Sequence, residues 1–146
     1  MARTIGFIGA GKIVDIMLGA LGPALAGDDI LIWNRTESRS TALAARYPVR
    51  VAGSVKELAE ASDWLFVAVK PYAVAKVMAE ACLSVKEGAV VVSMAAGVTI
   101  ASIRSHFTAA PAIVRIMPNL PLSVGLGMTA LCPDETVPKA ELDALI

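Results

Sequence analysis

The 146-residue chain is short of the side chains from which many kinds of site are built. It has one histidine, His106, and two widely separated cysteines, Cys82 and Cys132. That set has no metal-ligand spacing, and the expectation is two buried thiols in reducing surroundings rather than a disulfide. There is no charge of one sign to spare: 13 Lys and Arg face 13 Asp and Glu. A zero balance excludes the basic stripe of a nucleic-acid binder and the cationic face of a membrane-surface protein. Long apolar helical runs are also missing. The run after Arg3 is broken by two glycines and Lys12, and the uncharged stretch Ile116 to Pro133 is broken by Pro118, Asn119, Pro121, Gly125 and Gly127. Neither reads as a membrane span, and no signal-peptide pattern is evident, so a cytoplasmic location is expected.

What the chain does have is apolar substance. Apolar residues make up 56% and charged residues 18%, enough for one domain with a sizeable core. Strand-like and helix-like segments alternate. Thr4 to Ile8 reads as a buried strand, Lys12 to Leu21 as a helix that Gly22-Pro23 bends or restarts, and Ile30 to Trp33 as a second strand. Glu37 to Arg46 reads as a helix capped by Thr36, and Val49 to Val51 as a short strand. Ser54 and Glu57 form a capping box for the next helix. Trp64 to Val69 is apolar on both sides, as a strand covered on both faces must be. Val74, Val77, Met78 and Ala81 then recur at helical spacing. Ala89 to Ser93, Ala112 to Met117 and Met128 to Leu131 are further strands, and Thr99 caps a helix with Ile100, Ile103 and Phe107 inward. This alternation predicts an α/β fold, a doubly wound and mostly parallel sheet with helices on both faces. "PDETVP", Pro133 to Pro138, reads as a linker. The expected division is one α/β domain at 1–132, then a linker and helix start at 133–146 whose Leu142, Leu145 and Ile146 have no evident partner.

Gly9 and Gly11 sit between the first strand and the first helix. In that setting Gly9 permits a tight turn, and Gly11 lets backbone approach a pyrophosphate held at the helix N-terminus. Gly9, Ala10, Gly11, Lys12 and Ile13 are therefore candidate cofactor contacts. Val14 stands where a small residue usually packs the helix close to the sheet, so local repacking is expected. The second strand ends without the acid that would hold the ribose 2′-OH of NAD. It offers Asn34, Arg35 and Thr36 instead, with Arg39 a turn further on, and a guanidinium suits the 2′-phosphate of NADP(H).

The stretches "IGFIGAGK", "NRT", "FVAVKPY", "VVSMAAGVTI" and "VRIMPNLPLSVGLGMTAL" resemble the pyrroline-5-carboxylate reductase family, in the family's order, from Thr4 to Leu131. The resemblance implies a Rossmann-type NADP-binding domain and reduction of the C=N bond of 1-pyrroline-5-carboxylate, a small-molecule imine, to proline. It also implies a C-terminal helical domain that dimerises and completes the substrate pocket, hence a homo-oligomer in the full-length protein. Ala68, Val69, Lys70 and Pro71 would then line the cofactor ribose. Ala95, Ala96 and Gly97 would leave room for the nicotinamide, and Asn119 would reach its carboxamide or the substrate. Two positions depart from the family pattern: Val14, and Leu120 where threonine is usual. No proton donor is assigned, and His106 falls at the far end of its helix from this edge. The rival readings are a related NADP-dependent oxidoreductase, such as an F420-dependent NADP reductase or another imine reductase, and a non-catalytic dinucleotide-binding module.

Overall fold

A computed structural model describes residues 2–109 and 111–146. Seven strands form one sheet: β1 Thr4–Ile8, β2 Asp29–Trp33, β3 Arg50–Val51, β4 Trp64–Val67, β5 Val90–Ser93, β6 Ala112–Pro118 and β7 Thr129–Pro133. Their order is β3-β2-β1-β4-β5-β6-β7, parallel except for the antiparallel β6–β7 pair. The helices are α1 Lys12–Leu21, α2 Glu37–Ala44, α3 Val55–Ala61, α4 Pro71–Ala81, α5 Ile100–Arg104 and α6 Lys139–Leu145, with a 3₁₀ segment at Leu120–Val124. This is the doubly wound, Rossmann-type arrangement that the alternation predicts. Its strand order reverses between β1 and β4.

Alternation along each strand divides the core into two layers. Ile5 and Phe7 of β1, Trp64 and Phe66 of β4 and Val90 and Val92 of β5 face α1 and Leu43 of α2. Ile8, Leu65, Val67 and Val91 face the opposite layer, built from Val55 and Leu58 of α3, Val74, Val77 and Met78 of α4 and Ile103 of α5. The Phe7 and Phe66 rings stack at 4.8 Å between centroids. Ser54 caps α3 as its sequence predicts, accepting from the Glu57 N–H at 3.1 Å. The reciprocal bond is displaced by one residue, since Glu57 accepts from the N–H of Gly53 rather than of Ser54.

Several expectations are corrected. The second helix stops at Ala44 and the fourth strand at Val67, with the Ala68 N–H making a last bond to the Ile8 carbonyl of β1. The cysteines are not both buried: Cys82 is half-buried at the end of α4, and Cys132 is exposed on β7, an edge strand with no neighbour on its outer side. Gly22 does not restart the first helix; α1 ends at Leu21 and is followed by turns through Gly27. The stretch read as a linker is pinned. Asp134 accepts from the N–H of Ile113 and of Thr136 and pairs with Arg104, while its own N–H donates to the Ile113 carbonyl. Helix α6 also has a partner. Leu145 and Val137 pack on the first core layer, and the Trp64 indole N–H donates to Glu141 at 2.7 Å. Arg3 lies over the Trp64 ring, 4.6 Å from its centroid.

Val14 is fully buried in the first core layer, so the extra methyls are accommodated by packing. Val14→Ala should cost about 2 kcal/mol from two lost methyl groups and the cavity left behind. In a domain of this size that is a fall of roughly 4–8 °C in Tm, read by thermal melting; an unchanged Tm would mean that α1 collapses freely onto the sheet.

Helix α1 is also held from outside. Arg46 grips the Asp15 carboxylate with two N–H groups at 2.9 and 3.0 Å, and the Tyr47 hydroxyl donates to it at 2.7 Å. The Arg46 hydrogen bonds, then that of Tyr47, hold the Asp15 carboxyl below its ordinary value of 3.8. A depressed folded-state pKa means that the clamp's contribution is complete above pH 3.8 and is lost as pH falls through the lower folded value. The Tm difference between the wild type and Arg46→Met should therefore be constant from pH 7 to about pH 5 and shrink below about pH 4. A difference independent of pH down to 2 would assign the Arg46 effect to packing alone.

Candidate functional site

Six parallel strands end at one edge of the sheet, so the turns that follow β1 to β6 gather there. Those turns hold every candidate residue: Gly9 to Ile13 after β1, Asn34 to Thr36 after β2, Ala68 to Pro71 after β4, Ala95 to Gly97 after β5 and Asn119 after β6. In open α/β sheets the crevice beside the point of strand reversal is where ligands sit. The β1 and β4 turns flank that point here.

The two glycines of the β1 turn do different work. Gly9 has φ +116°, and a Cβ on it would lie 2.5 Å from the Ala68 carbonyl oxygen. Gly11 has ordinary backbone angles, φ −84° and ψ 180°, and a Cβ there would meet nothing within 4 Å. Gly9 is thus required by the fold. Gly11 leaves open space in front of the α1 N-terminus.

Hydrogen bonds sort the loop further. The Gly9 N–H donates to the Trp33 carbonyl at 2.7 Å, and the Ala10 N–H to Asn34 Oδ1 at 3.1 Å. These two donors are therefore engaged within the protein. The N–H groups of Gly11, Lys12 and Ile13 have no acceptor among the described residues, as the first turn of a helix requires. They lie at the positive end of the α1 dipole, an arrangement of backbone donors that suits an anion.

At the end of β2, Trp33, Asn34, Arg35, Glu37, Ser40, Val51, Ala52 and Gly53 line a cavity of about 360 Å³. Arg35 and Arg39 are exposed and make no ion pair among the described residues. Sequence reasoning reached Asn34, Arg35 and Thr36 but missed Val51 to Gly53 and Ser40. Their signal was the parallel pairing of β3 beside β2, which brings the β3 end to the same corner. Lys70, Ala96, Gly97 and Asn119 are exposed, while Ala95 is buried and Ala68 half-buried. Asn119 closes its own loop, accepting from the Met128 N–H at 2.9 Å. His106 follows α5 and stands away from the edge.

Residues 4–97 match the family model described as NADP oxidoreductase, coenzyme F420-dependent. The chain belongs to that family. Within it, similarity to pyrroline-5-carboxylate reductases runs the full length of the chain, as the sequence resemblance implies. The Escherichia coli K12 enzyme of that name is 36% identical over 149 residues, covering 99% of this chain and 55% of its own. The Synechocystis enzyme is 34% identical, covering 97% of this chain and 53% of its own. The solved structure of a pyrroline-5-carboxylate reductase from Coxiella burnetii superposes with a TM-score of 0.89 at 30% identity, over 99% of this chain and 54% of that one. The chain spans about half the length of the curated relatives that it matches.

The different demands on the two glycines can be separated. Gly9→Ala should cost at least about 2 kcal/mol, since it combines backbone strain with a steric conflict against main chain. Gly11→Ala should cost a small fraction of that in a denaturant titration. Equal costs would mean that the β1 turn can move away from Ala68.

Proposed function

We propose that this chain is the NADP(H)-binding half of an enzyme that reduces the C=N bond of 1-pyrroline-5-carboxylate to proline. The observation that carries the reading is a pair of anion sites at one sheet edge: the unpartnered N–H groups ahead of α1 and the unpaired Arg35 at the end of β2. A dinucleotide with a 2′-phosphate presents two anionic groups to such an edge. The residues fit it: Gly11 leaves the approach open, and the cavity between the β2 and β3 ends has room for a ribose and base.

In this reading Gly11, Lys12 and Ile13 hold the pyrophosphate through their N–H groups. Arg35 and Thr36 hold the 2′-phosphate, where an acid would repel it. Ala68, Val69, Lys70 and Pro71 line the next ribose, and Ala95, Ala96 and Gly97 keep side chains out of the way of the ring beyond. The bound cofactor supplies a hydride, and the protein supplies position and electrostatics. The match of nearly this whole chain to enzymes named for the pyrroline substrate supports imine reduction over the F420 chemistry in the family's description. The substrate pocket is assigned to the other half of the full-length enzyme, so NADPH-dependent reduction of 1-pyrroline-5-carboxylate is to be measured on that enzyme.

Calorimetric titration tests the cofactor assignment on this chain. NADPH should bind more tightly than NADH by roughly ten- to hundredfold, the worth of about 1.5–3 kcal/mol in charge-assisted hydrogen bonds. Arg35→Ala should remove most of that preference. Equal affinity for the two cofactors, or an unchanged preference in the variant, would overturn it.

A further inference from the structure

The residue that joins the two anion sites is Asn34, and both ends of its side chain are bound to main chain. Its Oδ1 accepts from the Ala10 N–H at 3.1 Å, and its Nδ2 donates to the Thr36 carbonyl at 2.9 Å. One amide thus ties the β1 turn to the β2–α2 turn. These two turns carry the N–H anion site and Arg35. The neighbouring bond, Gly9 N–H to the Trp33 carbonyl at 2.7 Å, completes a ladder across the same gap. No other side chain of the described residues bridges these two turns by a hydrogen bond.

Resting on the cofactor reading above, we infer that Asn34 is a positioning residue: it fixes the distance between the pyrophosphate site and the 2′-phosphate site by bracing Ala10 against Thr36. It does not act as a contact to the cofactor. A planar amide suits this role because it offers an acceptor and a donor on one rigid group, where Asp would offer only acceptors and Ser too short a reach. Engaging the Ala10 N–H also withholds it from a ligand, so the phosphate-facing donors begin at Gly11. A ligand that spans both sites benefits from a preset spacing, whereas one that occupies a single site does not.

Two ligands separate a brace from a contact. NADPH spans both sites, and adenosine 2′-phosphate occupies only the Arg35 corner. In Asn34→Ala, NADPH affinity should fall roughly five- to thirtyfold while adenosine 2′-phosphate affinity stays within about twofold. Amide hydrogen exchange of the unliganded protein should show protection lost at Ala10, with Tm little changed. If Asn34→Ala does not fold, Asn34→Ser, whose hydroxyl cannot span the two turns, should show the same pattern. Equal losses for the two ligands would make Asn34 a contact, and no loss for either would make the bridge irrelevant; both overturn the inference. Wild-type protein that binds neither ligand refutes the cofactor reading itself, and the inference with it. That failure is recognised in the first titration, before any variant is compared.

Discussion

The arrangement of the carboxyl edge depends on how closely the β1 turn passes the backbone of Ala68. Strand β1 is hydrogen-bonded on both sides, to β2 and to β4, so its end cannot drift. The chain must then leave the sheet in the narrow space beside β4, and only a residue without a Cβ and with positive φ can do so at Gly9. That exit directs α1 so that its first N–H groups face open space. Val14, Met17 and Leu18 anchor the helix from below, and the Asp15–Arg46–Tyr47 clamp holds it from the side. A charged clamp at the surface and an apolar one in the core act together on one helix orientation.

Much of this was legible in the sequence because its cause is local. Gly9 and Gly11 stand between an apolar pentad and a helix, and Ser54 and Glu57 announce a cap three residues apart. The run of Trp64 to Val67 is apolar on both faces because helices cover both faces of its strand. What was not legible depends on partners distant in the chain. Nothing near Glu141 shows that it will accept a hydrogen bond from Trp64, so α6 reads as unpartnered until the sheet brings them together. "PDETVP" has the composition of a loose linker, yet Asp134 meets Arg104 and the Ile113 N–H there. Exposure at Cys132 follows from β7 being the last strand, a fact of topology rather than of composition.

The candidate site divides in the same way. The residue types at Gly11, Arg35 and Ala95 suggest their roles from the segment that each ends. The distinction between Gly9, constrained by structure, and Gly11, free of it, requires the position of Ala68. Val49 to Val51 was legible as a strand, but that its end and Gly53 line this corner follows only from the pairing of β3 beside β2. Asn34 was recognisable as polar and well placed, but its engagement at both ends depends on two turns that are far apart in the chain.

The strand order also governs the sequence in which the protein can be made. Strand β1, an interior strand, precedes the other six in the chain, and one of its neighbours follows early: Ile5 pairs with Ile30. Its other neighbour, β4, pairs Ile5 with Trp64 and ends at Val67. Until that residue has emerged, one edge of β1 has no native partner, and Phe7 lacks the Phe66 ring on which it stacks. At about 5–20 residues per second, a nascent chain carries this open edge for several seconds. A strand buried in the finished sheet thus spends part of synthesis with an open edge, and its shortness and its internal Gly6 limit how well it can pair with another chain.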